Sequence, residues 1–346
     1  MSSSTAAQST ATTTQVDAAT DPPEKPTSSM LQHLAGLSST YGAVLVLIAM
    51  IVVFSILLPT TFASRGNISA LIADQAIPGI LALAAVIALA SGEFDLSLGA
   101  NLGFSAIVAI SLSNAGISLP LVILASVATG VSIGAINALL VIKIGVNAFI
   151  ATLGVGTILA GGNLWITNSA LLTLNSASLG ALTTTRVGGV QIVVAYFIVA
   201  ALLAWYAMEK TPFGRYLRAT GMGRDAARLS GVRTDRYLAA AFIAAGALAG
   251  IAGFLFASRS GSATPTLGPE FLLPAYAAAF LGATTIRPGY FNIWGAVIGV
   301  FILAVGSNGL VILGAPTWVT NVFNGLALIL AVSASVLVQK RKDRAR

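Results

Sequence analysis

Apolar and polar positions in this chain separate into long blocks. Apolar runs fall near 41–58, 68–90, 95–113, 117–142, 147–167, 190–208, 237–257, 274–286, 291–313 and 317–338. Most approach the ~20 residues an α-helix needs to cross a hydrocarbon core. The pattern therefore predicts an all-α, polytopic integral membrane protein of about ten transmembrane helices, with 274–286 its shortest run. Residues 1–38 are rich in Ser, Thr and Ala, with prolines at 22, 23 and 26. Such a stretch buries too little apolar surface to offset chain entropy, so a disordered tail is expected there. Residues 167–189 lack a long apolar run and read as an extracytoplasmic connector, on which a binding protein could rest.

Residues 209–236 form the longest polar block after the tail and read EKTPFGRYLRATGMGRDAARLSGVRTDR. They hold seven of the 18 Lys and Arg residues, between two apolar runs. Basic residues in short loops resist translocation, which places the block on the cytoplasmic face. With both termini inside, fifteen of the 18 basic residues are cytoplasmic, leaving Arg65, Arg186 and Arg259 outside. Within the block, Thr211-Pro212 reads as a capped helix start. Gly221 and Gly223 interrupt the segment, and a short helix over 224–230 is expected to end at Gly231. A helix so short needs a surface to lie on. Its small residues Ala226, Ala227 and Ser230 suit close approach to a protein groove better than insertion into lipid.

Composition narrows the chemistry. The 346 residues are 56% hydrophobic and 8% charged, with a net charge of +7. The cations lie in loops, so they make no nucleic-acid footprint. Cysteine is absent and the one histidine, His33, lies in the tail. Disulfides, thiolate metal sites and imidazole acid–base chemistry are thereby excluded. No Walker A loop occurs, so any ATP that drives this protein binds another chain. Glu93 and Asp95 stand two positions apart between two apolar runs, but no base, nucleophile or metal ligand accompanies them. At a cytoplasmic turn such carboxylates are cheap, and Asp95 is expected to cap the helix that follows it. Gly130/Gly134, Gly246/Gly250 and Gly295/Gly299 repeat at four-residue spacing and predict close helix packing inside the subunit. The order of Pro78, an apolar run, a bend at 91–99 and a second run is echoed from Pro274 through a bend at 285–292, as a parallel repeat would be.

Five segments resemble sugar-importing ABC permeases of the ribose type. Asp225-Ala226-Ala227-Arg228-Leu229-Ser230-Gly231-Val232 is similar to that family's coupling-helix motif. Asp95-Leu96-Ser97 with Gly99 resembles its Asp-Leu-Ser-Val-Gly, Glu93 standing where the family has glycine. Asn147-Ala148-Phe149-Ile150-Ala151-Thr152-Leu153-Gly154 follows its Pro-Ala-Phe-Ile-Val-Thr-Leu-Gly, with Asn147 replacing proline. Thr211-Pro212-Phe213-Gly214-Arg215 and Ser307-Asn308-Gly309-Leu310 complete the set. The resemblance implies a permease domain over 39–339, with its cytoplasmic coupling loop at 209–236 and a basic cytoplasmic tail at 340–346. It implies residence in the cytoplasmic membrane of a prokaryote and no catalytic activity or bound cofactor of its own. It also implies a cytoplasmic ABC ATPase that carries ATP and Mg, an extracytoplasmic sugar-binding protein and a second permease subunit, besides the surrounding lipid. Gly214, Arg215, Asp225, Ala226, Ala227, Leu229, Ser230 and Gly231 become candidates for contact with the ATPase.

A sugar path needs hydrogen-bonding groups and aromatic faces. Asp74 and Gln75, Asn101, Phe149, Thr152 and Asn308 are the candidates, each with interhelical bonding or packing as the structural alternative. Two other transporter classes stand beside this one: branched-chain amino-acid permeases, which carry Asn-Leu-Ala where this chain has Asp95-Leu96-Ser97, and ion-coupled secondary transporters. The latter need acids within spans, and the sequence places only Asp74 in one.

Overall fold

A computed structural model describes residues 29–344, with side-chain surroundings for 41–336. Nine of the ten apolar runs each correspond to one helix, and the run 68–90 is divided at Gln75 into two. The order is α1 Ser29–Leu57, α2 Arg65–Asp74, α3 Ala76–Ala90, α4 Leu98–Asn114, α5 Leu119–Ala138, α6 Ala148–Ile166, α7 Ala177–Thr184, α8 Val193–Trp205, α9 Pro212–Met222, α10 Arg224–Leu229, α11 Thr234–Ser260, α12 Pro269–Ala283, α13 Ile293–Ile312 and α14 Thr317–Arg344. α5 and α8 end in π-helical turns, Leu139–Ile144 and Tyr206–Lys210. Among the described residues, seven helical segments are long and apolar enough to cross a membrane. The remaining apolar runs give shorter helical stretches, Tyr41–Leu57 of α1, α4 and α12. α4, at 17 residues, is about 26 Å long against a hydrocarbon core of about 30 Å.

Two elements lie in stretches read as unstructured. α1 begins at Ser29, so it includes the last ten residues of the stretch expected to be a tail. Leu31, Leu34 and Leu37 recur there at a helical three-residue step. The rest of that expectation, residues 1–28, lies outside the described residues. Residues 167–189 are more than a solvated connector. They hold α7 and two short strands, Leu172–Thr173 (β1) and Arg186–Val187 (β2), which pair antiparallel with Ser262–Ala263 (β4) and Val190–Gln191 (β3). Leu179 of α7 is fully buried, and Thr183 Oγ1 meets Ser258 Oγ of α11 at 2.8 Å.

α3 is the centre of the bundle. Every one of its residues but Pro78 is buried, which suits a helix apolar on all sides. α11, α12, α13 and α8 pack around it, with α4, α5 and α6 forming the adjoining wall. The glycine pairs join these helices. A Cβ at Gly130 would sit 2.3 Å from the Gly246 carbonyl, and one at Gly299 2.4 Å from that of Ala278. Backbones therefore touch where α5 crosses α11 and where α12 meets α13. The echo between the two bent units does not extend to packing. α13 runs along α12, whereas α4 leaves α3 to pack on α11 and α5.

Candidate functional site

Residues 209–236 fold as anticipated in outline and differ in detail. Pro212 opens α9, but the Thr211 hydroxyl turns back to donate to Ala207 O at 2.6 Å rather than capping the helix. Gly221 stays inside α9, and the break falls at Gly223. α10 ends in a full Schellman closure, Gly231 N–H donating to Arg228 O and Val232 N–H to Ala227 O, with Gly231 at φ +83. Gly214 is buried, because a Cβ there would lie 1.9 Å from Met208 O. Arg215, Asp225, Ala226, Ser230 and Gly231 are exposed. Ala227 is not: at 8% exposure it faces inward. Leu229 at 90% and Met222 at 70% exposure are the apolar groups presented outward instead.

This segment holds both interhelical bends. At the first, residues 91–97 between α3 and α4, Gly221 presses on the turn so closely that a Cβ would stand 2.4 Å from Ala90 O and 2.8 Å from Gly92 N. Glu93 lies in the same turn; burial pushes its carboxyl up, while the nearby Arg224 guanidinium pulls it down. At the second, residues 284–292 between α12 and α13, Glu209 reaches Arg287 and also pairs with Arg218 of α9. Glu209 is only 10% exposed, so this two-arginine clamp is shielded from solvent on the carboxylate side. Nothing in the spacing of Glu209, Arg218, Arg287, Gly92 and Gly221 along the chain announces these contacts.

The interior of the first bend is a buried polar cluster. Asp95 is 1% exposed, so it is not the inexpensive solvated carboxylate expected of a turn. Its Oδ1 accepts from Ser97 N at 3.0 Å and Ser97 Oγ at 2.6 Å, closing the start of α4, and from Asn137 Nδ2 of α5 at 3.3 Å. Burial pushes the Asp95 carboxyl up to about 6, against the hydrogen bonds from Ser97 and Asn137. Tyr276 of α12 clamps the backbone: its hydroxyl accepts from Asp95 N at 2.9 Å and lies 3.0 Å from Asp95 O. Thr152 of α6 accepts from Leu96 N at 3.0 Å. The bend thus ties α4 to α5, α6 and α12. In the second bend Asn292 takes the matching part, its Oδ1 capping α13 at Gly295 N and its Nδ2 donating to Gly282 O and Thr285 O. Gly99 has a steric task, since a Cβ there would be 2.7 Å from Gly268 O.

Most sequence-derived path residues prove to be engaged in structure. Asn101 is buried and bridges the α5–α11 crossing, donating to Gly130 O and Gly246 O and accepting from Ser105 Oγ. Asn308 pairs with Asn67 of α2, Oδ1 to Nδ2 at 3.0 Å. Asp74 does not lie unpaired inside a span. It stands at the junction of α2 and α3, its side chain 57% exposed, and Arg259 at the end of α11 bonds it at 2.5 Å. Arg259 also bonds Gln191 at 3.1 Å. Gln75 forms the junction between α2 and α3 itself. Phe149 is 53% exposed at the start of α6, where Asn147 Oδ1 caps the helix. That cap supplies a physical reason for asparagine at position 147.

The family described as "Branched-chain amino acid transport system / permease component" matches residues 67–332. The chain is 31% identical over 305 residues to the ribose import permease protein RbsC of Escherichia coli (strain K12), covering 87% of this chain and 94% of that protein. It is 32% identical over 302 residues to the ribose import permease protein RbsC of Bacillus subtilis (strain 168), with coverage of 87% and 94%. The D-allose transport system permease protein AlsC of Escherichia coli (strain K12) is 30% identical over 301 residues, with coverage of 87% and 92%. No solved structure matches the chain.

Proposed function

The chain belongs to the family of branched-chain amino acid transport system permease components, and on that premise we propose that it is the membrane subunit of an ATP-driven importer of a neutral sugar or related polyol. Members of this kind are transport subunits rather than enzymes, and the ribose and allose permeases among its relatives favour a sugar over an amino acid. The observation that carries the mechanism is that one polar segment, 209–236, grips both interhelical bends. A cytoplasmic ATPase, holding ATP and Mg, docks on its exposed face around Ala226 and Leu229. Closure of the ATPase moves α9, and the contacts at Gly92 and Arg287 pass that movement to α4 and α13. Because packed helices have discrete arrangements, a small shift switches the bundle between inward and outward access. A binding protein delivers solute at the opposite end, beside α7 and the β2–β3 hairpin, and a second permease subunit completes the assembly.

We read ten crossings with both termini inside, a reading that the distribution of basic residues supports, and the bacterial relatives support residence in the inner membrane of a prokaryote. The test is reconstitution in liposomes with the cognate ATPase and binding protein. A neutral sugar accumulates only with ATP and the ATPase on one face and the binding protein on the other. Accumulation of leucine instead, or accumulation driven by an ion gradient without ATP, refutes the proposal.

A further inference from the structure

An open groove of about 360 Å³ runs between α4, α6 and the segment 265–272. Ligand sites are commonly about 300–1,000 Å³, mostly apolar, with a few placed polar groups. This groove has that composition: Leu153, Leu164 and Leu272 among its apolar groups, Thr157, Asn163 and Thr266 as polar ones, and no charged residue in its lining. Its walls are fixed by backbone contact. A Cβ at Gly103 would stand 2.0 Å from Leu267 O, so the segment before α12 lies directly on α4.

Asn163 is the telling residue. It is 1% exposed, and its Oδ1 has no hydrogen-bond partner among the described residues. A buried amide oxygen left unpaired is unfavourable; Asn137 Oδ1, beside Asp95 and away from the groove, is the other such amide oxygen among the described residues, whereas Asn101 and Asn292 are bonded through both ends. The Thr157 hydroxyl donates to Leu153 O at 3.0 Å and retains its capacity to accept. Among the described residues nothing covers the outward face of α6 at Gly154 and Gly161, where a Cβ would meet no atom within 4 Å. At its inner end the groove reaches Leu96, the neighbour of Asp95 in the first bend.

We propose that this groove is a solute-binding subsite of the transport path, with Asn163, Thr157 and Thr266 exchanging hydrogen bonds with the hydroxyls of a neutral sugar. The leucines meet its C–H face, and the absence of fixed charge disfavours ions. Its position beside Leu96 couples occupancy to the bend that the 209–236 segment grips. This inference rests on the sugar-importer reading and gives that reading specific residues, different from those the sequence suggested.

The chain contains no cysteine, so Thr157→Cys is its single thiol, and the transporter assembled from the unmutated chain with its ATPase and binding protein serves as the background control. A charged methanethiosulfonate reagent modifies that cysteine from water and lowers uptake of labelled ribose, allose or another transported neutral sugar more than tenfold. Asn163→Leu, close in volume, lowers the same uptake at least tenfold while thermal stability is held or raised, because the unpaired amide is gone. Should Asn163→Leu fail to assemble, the Thr157→Cys result decides. A cysteine at 157 that water-borne reagent cannot reach, because lipid or a second subunit fills the groove, overturns the proposal, as does wild-type uptake by Asn163→Leu. If the unmutated complex imports no neutral sugar, the sugar-importer reading fails first and the groove assignment falls with it; import that leaves both variants unaffected refutes the groove alone.

Discussion

Replacing Gly221 by alanine tests whether α9 drives the first bend. The added methyl carbon would lie 2.4 Å from Ala90 O, 2.8 Å from Gly92 N and 2.9 Å from Ser91 C. A carbon approaches a carbonyl oxygen to about 3.3 Å, so α9 and the bend must separate by about 1 Å. All three neighbours are backbone, and none can rotate aside. Overpacking of this kind costs about 1–3 kcal/mol, which as a coupling free energy corresponds to roughly 5- to 150-fold. The assay is ATP hydrolysis stimulated by solute-loaded binding protein, together with uptake, in liposomes holding the complete transporter. Both are expected to fall at least fivefold, while the ATPase still co-purifies because exposed Leu229 and Ala226 are untouched. Gly223→Ala is the control: its nearest neighbour is Ala226 Cβ at 3.8 Å, and its φ of 177° is open to any residue. Uptake by Gly221→Ala within twofold of the unmutated protein would show that this contact transmits nothing.

Four further outcomes follow from the same geometry. Glu209→Gln removes the shared carboxylate from Arg218 and Arg287 and should reduce stimulated ATP hydrolysis several-fold, whereas Arg287→Ala should do less because its side chain is 59% exposed; equal effects in hydrolysis assays would contradict the shielded clamp. Asp95, with its carboxyl raised from 3.8 to about 6, favours the folded state most below pH 3.8, and that contribution is lost as pH rises through 6, by about 3 kcal/mol at most. Thermal-unfolding scans of Asp95→Asn in detergent should therefore show a smaller fall between pH 4 and 7 than the unmutated protein, and an identical fall would exclude a role for this group. Gly103→Ala drives a methyl to 2.0 Å from Leu267 O and should lower stability by about 1–3 kcal/mol, while Gly154→Ala, with no neighbour within 4 Å, should be neutral or stabilising in the same scans. Reporters fused after Asn175 and Thr264 should read outside and those after Gly223 and Arg341 inside; an extracytoplasmic C-terminus would refute the ten-span topology.

How much of this was legible in the chain differs between its helices and its contacts. Lipid offers no partner for backbone polar groups, so the long apolar runs become helices, and the hydropathy pattern alone located them; seven described segments are long and apolar enough to cross a membrane. The four-residue glycine spacings likewise announced close packing, because only the lack of a Cβ permits it. The Schellman end at Gly231 and the helix start at Pro212 rest on local chemistry and were readable for the same reason. α7 was missed because its eight residues carry few large apolar groups and it is held by Leu179 and Thr183 against α11, contacts 75 to 79 positions away. The path candidates were chosen by residue type, yet type does not say whether an amide is already bonded: Asn101 is, at the α5–α11 crossing, and Asn163 Oδ1 is not. The burial of Asp95, the inward turn of Ala227 and the grip of Gly221 on Gly92 depend on which helices the bundle brings together. Local pattern sets secondary structure because its hydrogen bonds and capping span a few residues. Pairing across 42 to 185 positions, as in Asn137 with Asp95 and Arg259 with Asp74, is decided only when the helices pack.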